Sequence, residues 1–197
     1  MISLKRYQLV FATANAHKIS EINAILMFTP VTVVSMADIG CTEEIPETQP
    51  TIQGNAIQKA EYLYQNYQVN CFSEDSGLEI DALKGEPGVH SAYYAGNRDA
   101  QQNMNLVLTQ LGRKRKRTAR FRTVIALILE GKQHLFEGVC EGTIRMKPRG
   151  TAGFGYDPLF QPNGFDKTFG ELPAEIKNQI SHRAKAVQQL YDFLQAL

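Results

Sequence analysis

The sequence predicts an α/β fold, with a mixed β-sheet flanked by helices. An apolar run at 7–13 is rich in β-strand formers, and residues 19–26 then carry apolar side chains at helical spacing. A strand at 118–130 leads through a short Gly-Lys turn into an alternating strand at 134–144, which is typical of an antiparallel hairpin. Because strands that alternate with helices favour parallel pairing, the hairpin makes the predicted sheet mixed.

The remaining predicted elements follow in chain order. A strand is expected at 31–36, and a long acidic loop with two prolines follows at 41–50. Loops of this length inside compact domains are more often functional than idle. Thr51 could cap the next helix, in which Gly54 weakens the first turn. The other predicted elements are helices at 51–67, at 99–111 and from 181 onward, with a short strand at 159–160 and a helical turn at 172–177.

Composition indicates a globular protein of one domain or two small lobes. The 197 residues are 43% hydrophobic and 21% charged, with a net charge of +1. Near-neutral charge gives no reason to expect nucleic acid or an acidic membrane as a partner, and no apolar run approaches the ~20 residues of a membrane span. Cys41, Cys71 and Cys140 are an odd, widely spaced set, which predicts buried free thiols and a reducing cytoplasm.

Two adjacent carboxylates, Glu74 and Asp75, interrupt an apolar stretch at 71–80. The glycine at 77 predicts that one strand ends there, turns and resumes as a second strand. Taken alone, the pattern favours a solvated acidic turn. Adjacent acids beside apolar runs are costly unless they are solvated, hydrogen-bonded or bound to a cation, so the alternative is a cation site.

The segment Thr13–Lys18 joins the first strand to the first helix. A helix that begins after a polar turn points backbone N–H groups and its positive end at that turn, which can bind an anion. Lys18 would add a positive charge. The alternative is that Asn15 is an ordinary N-cap and Lys18 is solvated. A second lysine, Lys59, falls in the 51–67 helix away from its apolar stripe.

A loop at 149–158 places three glycines around two aromatic residues and an acid. Such a loop lets the backbone approach a flat ligand while the rings pack or stack, although its own aromatics could equally plug it. His182 and Arg183 begin the last helix. A basic run at 113–117 could bind nucleic acid, but its shortness and lack of interleaved aromatics favour a solvated turn.

Together these features suit a nucleoside triphosphate. Lysines and the helix start suit phosphates, the glycine-aromatic loop suits a base, and carboxylates at Glu47, Glu74 and Asp75 suit a divalent cation. Mg²⁺ is commonly held by one or two carboxylates together with phosphates. Because the pattern shows no Ser or Cys nucleophile with a paired base, direct attack by water is the simplest mechanism.

Four motifs resemble the inosine triphosphate pyrophosphatase family, in order and spacing. They are Thr13-x-Asn15-x-x-Lys18, Glu74-Asp75-Ser76-Gly77, Phe154-Gly155-Tyr156-Asp157 and Ser181-His182-Arg183, and the resemblance runs from about Tyr7 to the last helix. It implies a single pyrophosphatase domain over 1–197, with an elongated mixed sheet and two lobes around an active-site cleft. It also implies a cytoplasmic homodimer that hydrolyses ITP, dITP and XTP to the monophosphate and pyrophosphate with Mg²⁺.

The resemblance also implies residue roles. Asp75 would be the catalytic base and a metal ligand, with Glu47 and, less directly, Glu74 as further metal ligands. Ser76 would contact the substrate. The remaining substrate-binding positions fall into two groups: for the phosphates, Thr13, Ala14, Asn15, Ala16, His17, Lys18 and Lys59; for the base, Phe154, Gly155, Tyr156, Asp157, Lys177, His182 and Arg183.

Two positions depart from the family pattern. Gly54 stands where many bacterial members have Glu, and Tyr93 stands where many have Arg. Either change could alter local contacts of the site. Two other functions stay open. One is a related pyrophosphatase acting on pyrimidine or other modified nucleotides, and the other is a nucleotide- or RNA-binding module using residues 113–117 and the glycine-aromatic loop.

Overall fold

The structure is a computed structural model and describes residues 7–27, 29 and 31–196. Short 3₁₀ turns lie at 37–39, 81–83 and 88–93. The α-helices are α1 (Ala16–Leu26), α2 (Ile52–Tyr67), α3 (Ala100–Leu111), α4 (Ala174–Ile180) and α5 (His182–Gln195); the strands are β1 (Tyr7–Phe11), β2 (Val31–Val34), β3 (Cys71–Ile80), β4 (Thr118–Leu129), β5 (Lys132–Ile144) and β6 (Phe160–Pro162).

The six strands form one sheet in the order β2-β1-β3-β4-β5-β6. Strand β1 pairs in parallel with β2, where Tyr7 lies opposite Val31, and with β3, where Val10 lies opposite Cys71. At the other end of the sheet β5 pairs with β6 in antiparallel orientation. The predicted fold class, a mixed sheet flanked by helices, is confirmed.

The prediction of a turn at Gly77 is wrong. Residues 71–80 form one uninterrupted strand, and the two carboxylates within it are buried, Glu74 completely and Asp75 to 7% exposure. A solvated acidic turn is therefore also excluded. The physical reason is that lysine ammonium groups contact both residues, so the acids need no water to balance their charge.

The helix starts agree with the capping signals in the sequence. Asn15 caps α1, Thr51 caps α2 through the backbone N–H of Gly54, and Asp99 caps α3 through that of Gln102. The hairpin between β4 and β5 turns at Glu130 and Gly131, both in the left-handed region. Residues 113–116 form an exposed turn after α3, as predicted for the basic run.

The chain divides into two compact units, each with its own apolar core. The first unit comprises the described residues within 7–75, 124–137 and 186–196; its core packs β1, α1 and α5 with the stacked rings of Phe11 and Phe72. The second comprises residues 76–123 and 138–185; its core packs α3 against residues of β4, β5 and the 156–172 segment.

Among the described residues, no helix is both long and apolar enough to cross a membrane. Cys41, Cys71 and Cys140 are all buried free thiols, which confirms the prediction made from their number and spacing.

Candidate active site

The turn before α1 is organised by its own polar side chains. Asn15 Oδ1 accepts hydrogen bonds from the backbone N–H groups of His17 (3.0 Å) and Lys18 (3.2 Å), and Thr13 Oγ1 accepts one from Asn15 (3.2 Å). Asn15 is therefore a true N-cap. Ala14, Ala16 and His17 are exposed on this turn.

Lys18 is not a solvated first-turn residue. Its side chain is only 14% exposed, and its Nζ lies 3.6 Å from Glu74 Oε1 and 3.4 Å from the Glu74 carbonyl oxygen. The helix start is thereby tied to β3. Lys18, from the first of the four motifs, therefore contacts Glu74, from the second.

Lys59 of α2 is the centre of this arrangement. The residue is 5% exposed, and its Nζ contacts Glu47 Oε1 at 2.6 Å, the Glu74 carbonyl oxygen at 3.0 Å and Asp75 Oδ1 at 3.3 Å. We call Lys18, Glu47, Lys59, Glu74 and Asp75 the acidic cluster. It contains three carboxylates and two ammonium groups.

The long loop before α2 is held against that helix by side chains of the helix. Gln58 Oε1 accepts from the Thr48 N–H (2.9 Å), Gln58 Nε2 donates to the Thr48 hydroxyl (2.8 Å), and buried Asn55 accepts from the Gln49 N–H (2.8 Å). Glu47 precedes these anchored residues. The loop therefore delivers the Glu47 carboxylate to Lys59.

Gly54 permits this close approach of loop and helix. A Cβ at position 54 would lie 2.8 Å from the Gln49 Cβ and 3.0 Å from the Thr51 hydroxyl oxygen. A side chain there would clash with Gln49, whose backbone N–H donates a hydrogen bond to Asn55. The departure from Glu at this position thus coincides with tight packing of the loop that carries Glu47.

The electrostatics of the acidic cluster oppose ionisation of Asp75. Burial raises the pKa of this carboxyl; attraction to Lys59 and Lys18 works against the rise, and repulsion from Glu47 and Glu74 adds to it. Burial works to lower the pKa of Lys59, but attraction to Asp75, Glu47 and Glu74 outweighs it and the pKa is raised. The lysine thus stays charged while Asp75 holds a proton more readily than an ordinary aspartate.

The oxygen ligands of the acidic cluster fit a divalent cation. Asp75 Oδ2 is buried and accepts no hydrogen bond within the described part of the chain, so one carboxylate oxygen is available to a metal or a proton. Across residues 7–27, 29 and 31–196, no three His, Cys, Asp or Glu side chains form a complete metal site. One or two carboxylates together with phosphate oxygens are a common ligand set for a hard cation such as Mg²⁺.

The second unit contains a different cluster built on Lys177 of α4. Its Nζ donates to Asp157 Oδ2 at 2.7 Å, and both side chains are almost completely buried. The same ammonium lies 5.0 Å from the centre of the Phe154 ring, and Arg183 lies 5.7 Å from that ring. We call Ser76, Phe154, Asp157, Lys177 and Arg183 the aromatic cluster.

The glycine-aromatic loop is shaped by Asp157. The carboxylate accepts the Phe154 N–H at 2.8 Å, which closes the loop over the intervening residues. Gly153 adopts φ +73°, and a Cβ there would overlap the Asp157 carboxylate. Glycine at 153 is therefore required both by the backbone conformation and by the approach of Asp157.

Two residues that were predicted to contact the base, Tyr156 and His182, pack against other residues of the protein. Tyr156 belongs to the apolar core of the second unit, and its hydroxyl donates to the Ser91 carbonyl at 2.9 Å. Burial also raises the pKa of this phenol. The His182 ring stacks on Phe121, with ring centres 4.6 Å apart. Of the loop's two aromatic residues, Phe154 is the one that lies against the cationic side chains.

Sequence reasoning missed several supporting residues. Thr123 of β4 lies 2.6 Å from the Ser76 hydroxyl, and an Arg183 amino group lies 3.4 Å from the same hydroxyl. Phe121, Asn55 and Gln58 were missed as well. None stands in one of the four site motifs, because their contacts come from strands and helix faces that only folding brings together.

Comparison with known proteins identifies the family. The chain matches the Ham1 family over residues 9–193. The dITP/XTP pyrophosphatase of Flavobacterium johnsoniae is 55% identical over 190 residues, which are 96% of this chain and 98% of that protein. The dITP/XTP pyrophosphatase of Bacillus subtilis is 45% identical over 200 residues and covers both chains completely.

Solved structures agree with the sequence relatives. The Ham1 protein of Staphylococcus aureus superposes with a TM-score of 0.88 at 35% identity, over 96% of this chain and 99% of that one. A HAM1 protein from Coxiella burnetii gives 0.89 at 34% identity, with the same coverage. Pyrophosphatases of this family generally need a divalent metal ion. The predicted family is confirmed, and the chain belongs to the Ham1 family.

Proposed function

We propose that this protein hydrolyses ITP, dITP and XTP to the nucleoside monophosphate and pyrophosphate, with Mg²⁺, and so removes these nucleotides from the cellular pool. The relatives confirm the predicted class of enzyme, a nucleoside triphosphate pyrophosphatase. One structural observation carries the proposal: a buried lysine contacts Glu47 and Asp75 at 2.6 and 3.3 Å, while Asp75 Oδ2 has no hydrogen-bond partner among the described residues.

The acidic cluster supplies the chemistry of phosphate cleavage. Lys18, Lys59 and the N-terminal turn of α1 would bind the triphosphate and stabilise charge that develops as water attacks the α-phosphorus. Lys59 fixes Asp75 through Oδ1, which leaves Oδ2 to orient the water and accept its proton. When bound by Asp75 and Glu47, with Glu74 as a further candidate, Mg²⁺ would neutralise charge on the phosphates and the leaving pyrophosphate.

The aromatic cluster supplies selection of the base. Phe154 presents a ring face, while Arg183 and Lys177 present cationic donors beside it. Hypoxanthine and xanthine carry a carbonyl acceptor at position 6, whereas adenine carries an amino donor there. A donor facing the adenine amino group would be left without its hydrogen bond, which costs about 1–3 kcal/mol for a buried group. Ser76 and Asp157 complete the proposed substrate contacts of this cluster.

A substrate panel tests the proposed reaction. Purified protein with Mg²⁺ should release pyrophosphate from ITP, dITP and XTP much faster than from ATP or GTP. Equal rates on all purines would contradict the base selection, and release of orthophosphate would contradict the bond that is cleaved. Faster release from pyrimidine or other modified nucleotides would replace the proposed substrate class.

We also propose that residues 1–197 act as one pyrophosphatase domain, in the cytoplasm and as a homodimer. Three buried free thiols support a reducing compartment. Light scattering on the purified protein tests the assembly. A mass of one chain, 22.1 kDa, at assay concentrations would contradict the dimer.

A further inference from the structure

A basic groove lies in the second unit, formed by residues 115–118 and 143–149. Its volume is about 680 Å³. Six of the lining residues are cationic, and none of the described lining residues is acidic: Arg115, Lys116, Arg117, Arg145, Lys147 and Arg149. The acidic and aromatic clusters include none of these residues, so the proposed reaction gives the groove no role.

The two walls of the groove are joined by hydrogen bonds. The Ile144 N–H donates to the Arg117 carbonyl at 2.9 Å, and the Arg117 guanidinium donates to the carbonyls of Ile144 (2.8 Å) and Arg145 (3.2 Å). The second wall is fixed further by backbone bonds from Arg145 to Leu159 and from Arg149 to Pro158. Arg117 is therefore structural, and the other cations stand on a fixed backbone.

Acidic neighbours balance only part of this charge. The Glu171 carboxylate accepts hydrogen bonds from the backbone N–H and the hydroxyl of Thr168, and these bonds lower its pKa. Attraction to Arg149 and Arg145 lowers this pKa further. Asp81 accepts from the Thr118 hydroxyl and pairs with Arg120, with a weaker attraction to Lys116. The side chains of Arg115 and Lys147 make no hydrogen bond or ion pair with any residue that the structure describes.

We propose that this groove binds a condensed phosphate, that is, a chain of two or more phosphates linked by anhydride bonds. Several like charges on one surface repel one another, and a compact polyanion relieves that repulsion. Guanidinium groups match phosphate oxygens with paired hydrogen bonds. The volume lies in the usual range of small-molecule sites.

The composition of the groove favours a condensed phosphate over nucleic acid. None of the groove residues is aromatic. Sites for single-stranded nucleic acid normally combine a basic groove with aromatic platforms for the bases. Two sources share the proposed chemistry: pyrophosphate released by an enzyme reaction, and longer inorganic polyphosphate.

Calorimetric titration of tripolyphosphate into the full chain without metal tests the proposal. In Arg115→Glu/Lys147→Glu the affinity of one class of sites should fall by about tenfold or more, which equals about 1.4 kcal/mol. The matched control Lys132→Glu/Lys167→Glu reverses two exposed lysines outside the groove and should bind like the unaltered protein. Lys18→Ala alters the acidic cluster instead and should leave the groove sites unchanged.

Three outcomes would overturn the proposal. Equal binding by the groove variant and the unaltered protein shows that the groove takes no phosphate. An equal loss in the control variant shows a general charge effect. Tighter binding of an oligo-dT with the same number of phosphates assigns the groove to nucleic acid. Affinity that rises with chain length identifies polyphosphate as the source, whereas equal affinity for pyrophosphate identifies a released product.

Discussion

The acidic and aromatic clusters each bury a lysine against a carboxylate, but they balance the charge differently. Lys177 pairs with one acid, Asp157, which also accepts a backbone N–H from its own loop. Lys59 contacts two acidic side chains and the carbonyl of a third acidic residue. The Lys177–Asp157 pair matches one positive charge with one negative charge, whereas carboxylates outnumber ammonium groups by three to two among the five residues of the acidic cluster.

The difference suits the two clusters to the two roles proposed for them. A satisfied pair beside an aromatic ring suits a neutral base, because it offers shape and hydrogen bonds without attracting ions. A carboxylate-rich cluster suits a divalent cation. Burial, with repulsion from Glu47 and Glu74, raises the pKa of Asp75 against the attraction of Lys59 and Lys18.

The largest effect should come from Asp75→Asn. We expect kcat for ITP to fall by at least about a thousandfold, or about 4 kcal/mol, because the amide cannot accept the proton of water. Thermal stability should stay the same or rise, because burial already disfavours the ionised carboxyl. Steady-state kinetics and a melting curve measure both quantities.

Asp157→Asn is the matched control for that change. It should lower stability, through the lost ion pair with Lys177, and should affect KM more than kcat. An Asp75→Asn variant that keeps most of its kcat would remove Asp75 from the role of base.

Breaking the aromatic cluster should come next in size. Lys177→Met leaves Asp157 buried without its ammonium partner, which typically costs about 3 kcal/mol or more of unfolding free energy. The expected result is a lower midpoint in urea unfolding, together with weaker preference for ITP over ATP. Lys167→Met, on an exposed lysine, should leave both unchanged. A stable, fully selective Lys177 variant would contradict the assigned role of the pair.

Metal binding should stabilise the protein through the acidic cluster alone. At a Mg²⁺ concentration 100 times its Kd, the gain is about 2.7 kcal/mol, and chelation should reverse it. Asp75→Asn should lose most of the gain, whereas Asp157→Asn should retain it. A gain that is equal in both variants would place the ion elsewhere.

The smallest effect concerns the loop that carries Glu47. An alanine in a helix normally adds about 0.5–1 kcal/mol over glycine, but Gly54→Ala should instead destabilise, because its methyl group meets Gln49. We expect kcat to fall a few-fold, by about 1 kcal/mol. The double variant Gln49→Gly/Gly54→Ala removes the clashing Cβ and should recover activity. If the single variant is more stable and fully active, the close packing has no bearing on Glu47.

Local sequence signals predicted most of the fold. Asn15, Thr51 and Asp99 each stand directly before a helix, where a side-chain oxygen satisfies the free N–H groups. The Gly-Lys pair likewise predicted the β4–β5 hairpin, although the turn lies one residue earlier, at Glu130 and Gly131, and β5 begins at Lys132. These features succeed because their physical cause lies within a few residues.

Long-range pairing accounts for what the sequence did not reveal. The strand through Gly77 continues because Lys18 and Lys59, 56 and 15 residues away from Glu74, balance the acids. Tyr156 points into the core because its hydroxyl donates a hydrogen bond to the Ser91 carbonyl. The site motifs can be recognised in the sequence. Which lysine pairs with which carboxylate depends on long-range contacts, and the motifs do not contain that information.

The buried cysteines have a consequence for chemical durability. Burial raises the pKa of Cys71 to about 12 and that of Cys140 to about 11. At pH 7 roughly one Cys71 thiol in 100,000 is then ionised, and the thiolate is the form that oxidants and alkylating agents attack. An oxidising episode in the cell should therefore spare these two sulfur atoms while more exposed thiols of other proteins are modified.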